Sequence, residues 1–289
     1  MARRATVAIV GGTFDRLHRG HFALFETAFA SAQRVAIGLT TDRYLTAHPK
    51  PSGDAIRPYG LRRRTLARRL RARFPRRAFT IVPLNDPMGG ALRSGVDVLI
   101  VSEETRGGAN AVNRARRSLG LPPLSVRVVP RVIADDLRPL ASRRIRAGEI
   151  DGFGRRRTPI VVRLASGVPE LTDAVHAAVR AEFGRRVDWR TKPASLVVAA
   201  AARSRRDFSR SLPSPPSGVD LQIVIAPAMR GGARIAARTP ESVVGDLRIA
   251  RRDFPRAGER LARLLRPRDR RDQGVARARA RRPASRRPT

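Results

Sequence analysis

From Thr6 to about Gly154, short apolar runs rich in β-branched residues alternate with longer stretches in which apolar positions recur at helical spacing. The runs are TVAIV (6 to 10), RVAIGL (34 to 39), FTIVPL (79 to 84), VDVLIV (96 to 101) and LSVRVVPRV (124 to 132). Strands that are apolar along their whole length have both faces covered, and helix-sized spacers join strands that run parallel. The pattern predicts an α/β fold: a Rossmann-like, doubly wound, parallel five-stranded sheet.

The spacers carry their own signals. FALFETAFASAQ follows His21 as a helix, and Asp42 is placed to cap the segment after the second strand. Leu61, Leu66, Leu70 and Phe74 fall near one face of a helix otherwise filled with arginine. A helix from Gly107 to Leu119 ends at Gly120 as C′ and is stopped by Pro122 and Pro123. A last helix through ASRRIRAGEI closes the domain.

After FGRRRTP (153 to 159) a second α/β pattern begins, with the strand-like IVVRLASG, the helix LTDAVHAAVRAEFG, a loop at SLPSPPSG (211 to 218) and the strand-like LQIVIAPAM (221 to 229). Residues 266–289 have no apolar period and hold ten arginines, so a disordered tail is expected there. The expected domains are 1–156, a smaller α/β domain at 157–265, and the tail.

Composition narrows the picture. At 289 residues two domains are expected, and 42% hydrophobic with 4% aromatic residues means cores built from Val, Leu, Ile and Ala. The net charge of +36 is almost all arginine and attracts polyanions, through the tail above all. The arginines are spread along the whole chain rather than gathered, which equally fits a habit of writing Arg at solvated positions. With no cysteine there is no disulfide, thiolate metal site or thiol nucleophile. No run approaches the ~20 residues of a membrane span, and MARRATVAIVGG lacks a signal-peptide h-region, so a cytoplasmic protein is expected. Nothing in the pattern specifies an oligomeric state.

Chemistry concentrates in GGTFDRLHRGHF, Gly11 to Phe22, which holds two of the four histidines. A strand ending in two glycines lets the backbone approach a ligand, and a helix opening near Gly20 aims its N-terminus at negative charge. His18 and His21, three apart, can face one point. Such a pair could bind a metal, act as acid and base, or donate to phosphate oxygens. A metal would want a third ligand, and neither His48 nor His176 has a suggestive spacing, although Asp15 is available.

Gly11 to His21 resembles the HxGH signature of the nucleotidyltransferase superfamily, in the GGTFDxLHxGH form of archaeal and eukaryotic-type phosphopantetheine adenylyltransferases. Further segments match in order. TTDRYL (41 to 46) resembles the family's TSD segment, Lys50 stands where these enzymes carry a substrate-side lysine, and RPYGLR (57 to 62) resembles PYEER. VSEET (101 to 105) is similar to VSxET; Asn113, Arg116 and Gly120 reproduce N-x-x-R-x-x-x-G; and LASRRIRAGEID (140 to 151) is similar to ISSTRIRxGEID. The likeness covers residues 5 to about 155.

The resemblance implies a nucleotidyltransferase fold and transfer of an adenylyl group from ATP to 4′-phosphopantetheine, giving dephospho-coenzyme A and pyrophosphate. It implies His18 and His21 as the catalytic donors to the ATP phosphates. Gly12, Thr13, Phe14, Gly20, Ser102, Glu103, Glu104, Ser142, Arg144 and Arg146 join them around ATP; Thr13, Lys50 and Arg62 hold the incoming phosphate. Mg²⁺ is expected as the ATP counter-ion, held mostly by phosphates and water, with no protein metal site. Arg143 and Arg155 to Arg157 are expected to be solvated.

Two departures bear on ATP affinity: Ala141 replaces a serine and Arg143 a threonine of the ISSTRIR segment. The second domain resembles the inosine/xanthosine triphosphatase family only faintly. SGVPELTDAV (166 to 175) follows the pattern SxNPxKxxAV, but Val168 stands where Asn belongs and Leu171 where the phosphate-binding Lys belongs, so hydrolase activity is expected to be lost if the ancestry holds. His176 is expected to pack. Two rival functions are a cytidylyltransferase of lipid head-group synthesis, whose RTxGISTT segment is missing, and a nucleic-acid-binding protein on a retired enzyme scaffold.

Overall fold

The computed structural model describes residues 5–50, 56–86, 88–184, 187–190, 212–228 and 232–266. The chain divides into two compact units, one made of residues 1–132 and 140–153, the other of 133–139 and 154–289. The tail expected at 266–289 lies, from 267 on, outside the described residues.

In the first unit, β1 (Ala5–Gly12), β2 (Ala32–Thr40), β3 (Ala78–Leu84), β4 (Val98–Ser102) and β5 (Ser125–Val129) form one sheet in the order β3-β2-β1-β4-β5. Every pairing is parallel, as the apolar runs predict. Alternate residues of β1 face opposite layers. Ala8 and Val10 pack with Phe25, Ala28 and Phe29 of α1 (Arg19–Ser31) and Leu66 and Leu70 of α3 (Tyr59–Arg73). Ile9 turns the other way, toward Ala109 and Val112 of α4 (Arg106–Ser118). The chain runs outward from β1 to β2 and β3, then crosses back to β4 on the other side. That reversal falls between β1 and β4, and open α/β sheets take their ligands in a crevice at the carboxyl ends of the strands at such a point.

Local details differ from the sequence expectation at three places. Thr41, not Asp42, caps the short α2 (Asp42–Ala47), accepting from the Tyr44 N–H at 3.2 Å. Asp42 instead accepts from the Tyr59 N–H at 2.9 Å, at the start of α3. On α3, Leu61 is exposed while Arg62 is fully buried, because its donors find backbone carbonyls inside. The basic helix near residue 140 shortens to α5 (Ser142–Arg146). The C′ reading at Gly120 holds: its φ is +68°, and the Leu121 N–H reaches back to the Arg116 carbonyl at 2.8 Å.

The second unit is a mixed sheet in the order β10-β9-β8-β6-β7. β6 (Ile160–Ser166) lies parallel to β7 (Val187–Arg190) and β8 (Leu221–Pro227), while β9 (Ala233–Arg238) and β10 (Val243–Ile249) continue antiparallel. α6 (Thr172–Phe183) and α7 (Ala257–Leu265) supply helical residues to its core. His176 packs its ring 4.2 Å from that of Trp189. Arg156, expected to be solvated, is mostly buried and pairs with Asp136 at 2.9 Å and Asp220 at 2.7 Å. Val168 and Leu171 both belong to the apolar core, so where the triphosphatase pattern would put an amide and an ammonium this unit has packing.

Candidate active site

β1 delivers the motif to the crevice, and rings then decide its shape. Phe14 adopts the left-handed φ of +45°, uncommon for any residue but glycine, and lays its buried ring edge-on to His21 with centroids 5.2 Å apart. A Cβ on Gly12 would sit 2.9 Å from that ring, and one on Gly20 would sit 3.1 Å from the His18 ring. The glycines therefore make room for the motif's own aromatic side chains. His18 stands at the N-cap of α1 in extended conformation, and no side chain caps that helix.

The His18 and His21 rings stack, centroids 3.8 Å apart and planes 24° from parallel. Burial pulls His18 down from the usual imidazole value to about 4. His21 is pushed well below it by burial first, then by His18 and Lys50. Both rings are neutral at pH 7, so each carries a single N–H to donate. The Nδ1 atom of each is buried without a hydrogen-bond partner.

Lys50 reaches across to Thr13, its Nζ donating to the threonine hydroxyl at 2.8 Å. Its pKa is lowered, by burial first and then by Arg146; Glu104 raises it and Arg62 lowers it further. Thr13, Lys50, Arg62, Glu104, Arg146 and the two histidines thus share one neighbourhood, gathered from the β1 loop, α1, α3, α5 and the turn after β4. Arg62 has most of its donors engaged. Nε gives to the Arg57 carbonyl at 2.7 Å, Nη1 to the carbonyls of Thr13 and Thr40 at 3.0 and 2.8 Å, and Nη2 to Asp42 at 2.8 Å. It ties the motif loop to β2 and carries charge into the site from behind.

The remaining residues are held by partners within the unit. Arg146 is nearly buried and donates to Asp15 at 3.3 Å. Ser142 donates its hydroxyl to the Arg16 carbonyl at 3.1 Å, and Arg144 is buried against Glu149 at 2.8 Å. Arg143 is exposed, as expected. Ser102 and Thr105 form a reciprocal cap at the turn after β4, and Glu103 accepts from the Arg131 N–H at 3.4 Å. The N-x-x-R-x-x-x-G pattern is structural. Asn113 makes a two-point clamp on the Leu124 backbone, and Arg116, 1% exposed, donates to the carbonyls of Pro122, Ala91 and Arg93 at 2.6 to 2.9 Å.

The residue that sequence reasoning undervalued is Asp15. It is 0% exposed, and its Oδ1 accepts from both N–H and Nε of Arg57 at 3.1 and 3.0 Å. The available signal was a carboxylate between Phe14 and Leu17 in the motif loop, since such a group is buried only with partners. Among the described residues no three His, Cys, Asp or Glu side chains are placed to hold a metal ion.

Residues 9–147 match the family described as cytidylyltransferase-like. A phosphopantetheine adenylyltransferase of Pyrococcus abyssi is 42% identical over 147 residues, which is 50% of this chain and 92% of that one. One from Methanothermobacter thermautotrophicus is 36% identical over 155 residues, covering 53% and 91%. A bifunctional phosphopantetheine adenylyltransferase/NTP phosphatase of Thermoplasma acidophilum is 39% identical over 175 residues, 60% of this chain. The match spans only about half, 52%, of that relative's length.

Proposed function

This chain belongs to the phosphopantetheine adenylyltransferase family, and on that premise we propose that it transfers the adenylyl group of ATP to 4′-phosphopantetheine in coenzyme A synthesis. The observation that carries the reading is the Lys50 ammonium hydrogen-bonded to Thr13 at 2.8 Å beside two neutral, buried imidazoles. In the reaction an oxygen of the phosphopantetheine phosphate attacks the α-phosphorus. The bond from α-phosphorus to the bridging oxygen breaks, and pyrophosphate leaves with that electron pair. The nucleophile is already an anion, so no base is needed; catalysis consists of positioning and charge stabilisation.

Each residue has a place in that scheme. Thr13 and Lys50 receive the nucleophilic phosphate, whose charge Lys50 offsets. His18 and His21 donate to ATP phosphate oxygens as charge builds, with the uncapped N-terminus of α1 adding its dipole. Neutral imidazoles suit this task, because donors that need not give up a proton serve the same way before and after transfer. Arg146, Ser142 and the Ser102–Thr105 turn border the nucleotide.

Mg²⁺ is expected to arrive with ATP and supplies neutralisation of the phosphates when bound. Asp15, the carboxylate within the motif, is surrounded by guanidinium groups and is therefore not placed to hold the ion. No step above depends on it. A cytoplasmic setting belongs to the same reading, and no helix among the described residues is long and apolar enough to cross a membrane.

The test is pyrophosphate release in mixtures of the protein with 4′-phosphopantetheine and either ATP or CTP. Turnover with ATP and little with CTP is expected. Preference for CTP would transfer the assignment to a cytidylyltransferase. No turnover with either, together with tight salt-sensitive RNA binding, would leave only a retired scaffold.

A further inference from the structure

We propose that Asp15 is a positioning residue for this reaction, holding Arg146 in place to face the nucleotide phosphates. The proposal rests on the adenylyl-transfer reading of the site. Asp15 follows the left-handed Phe14 and is 0% exposed. Three guanidinium groups meet it. Arg57 takes Oδ1 at 3.0 Å, while Arg146 approaches Oδ2 at 3.3 Å and Arg16 lies 3.6 Å from the same oxygen. These come from the motif loop itself, from the segment entering α3 and from α5, which are distant in sequence.

A buried carboxylate beside a triphosphate would repel it, but one matched by three guanidinium groups does not. What remains is its effect on the arginines. An arginine side chain has several rotors, and fixing them before the ligand arrives removes that ordering cost from binding. Arg146 is the partner for which this matters, because on the adenylyl-transfer reading it borders the nucleotide, and its charge opposes the Lys50 ammonium. Arg57 is tied through backbone and side chain together, which serves to dock the start of α3. One carboxylate thus registers α3 and α5 on the motif.

The experiment is a double-mutant cycle on ATP affinity, measured by calorimetry without phosphopantetheine so that no turnover occurs. Asp15→Asn is expected to weaken ATP binding about tenfold when Arg146 is present and less than about twofold in an Arg146→Ala background. Equal losses in the two backgrounds would overturn the proposal, because Asp15 would then act on the fold at large. Should Asp15→Asn fail to fold, Asp15→Glu keeps the charge, moves it by one methylene and supports the same comparison. Pyrophosphate release by the unaltered protein is measured separately. Coupling without release would retain Asp15 as a nucleotide-positioning residue and reject the transfer reaction; release without coupling would do the reverse. A protein that binds no ATP would overturn both.

Discussion

The imidazoles of His18 and His21 stack with their centroids 3.8 Å apart. Two unit charges at that separation would repel by about 4 kcal/mol even at an effective dielectric constant of 20. The stack is therefore a device of neutral rings, and it should come apart in acid.

The sign follows from His18, whose folded pKa of about 4 lies below the ordinary 6.5. Between those values the unfolded chain binds more protons than the folded one, so stability is fully present above about pH 6.5 and is lost as pH falls toward 4. The loss from His18 is up to roughly 3 kcal/mol. Urea melts from pH 7 to pH 4 should show the decline, and a His18→Ala variant should show a shallower one.

Replacing either histidine by alanine should lower kcat by about 10² to 10³, the usual effect of removing one donor to a developing charge. KM for phosphopantetheine should stay within about threefold. Steady-state kinetics with each substrate varied decides it; equal losses in both terms would mean the rings serve ground-state binding.

Activity should fall at alkaline pH earlier than an ordinary lysine would require. Lys50 must stay protonated to receive the phosphate, and burial, Arg146 and Arg62 lower its pKa against the opposing pull of Glu104. Its charge also acts on His21. Lys50→Arg should move the alkaline limb of the kcat/KM profile to higher pH. An unmoved limb would assign that titration to another group.

Arg116 should matter for stability alone. Arg116→Met leaves the carbonyls of Pro122, Ala91 and Arg93 without their donor, at about 1 to 3 kcal/mol for each one that stays dry. Thermal melts should show Tm lower by roughly 6 to 12 °C. At a temperature where the variant is folded, kcat should be unchanged.

Inosine triphosphate should not be hydrolysed. Val168 and Leu171 are packed in the second unit's core, and neither side chain can hydrogen-bond a phosphate. Phosphate and pyrophosphate assays on inosine triphosphate check this; turnover would show that the unit uses other residues.

Much of this was legible in the sequence because it is local. An apolar run specifies a buried strand wherever it lies, and the spacing of Gly11 to His21 specifies a turn carrying two imidazoles at a helix start. The hairpin strands β9 and β10 were not legible. ARIAAR and VVGDLRI hold Arg234, Arg238, Asp246 and Arg248 among their apolar residues, and antiparallel pairing with β8 and with each other is what makes them strands.

By itself the sequence determined the parallel sheet, the motif loop and its two histidines, since periodicity and glycine placement act over a few residues. Only the tertiary structure decided which arginines serve as framework. The sequence puts Arg62 and Arg144 among the phosphate ligands and Arg116 in a spacing pattern, yet all three are buried with backbone carbonyls or carboxylates as partners. Only it decided that Asp15 joins α3 and α5 to the motif. A guanidinium's role is set by what surrounds it, and those surroundings are assembled from segments up to 131 residues apart.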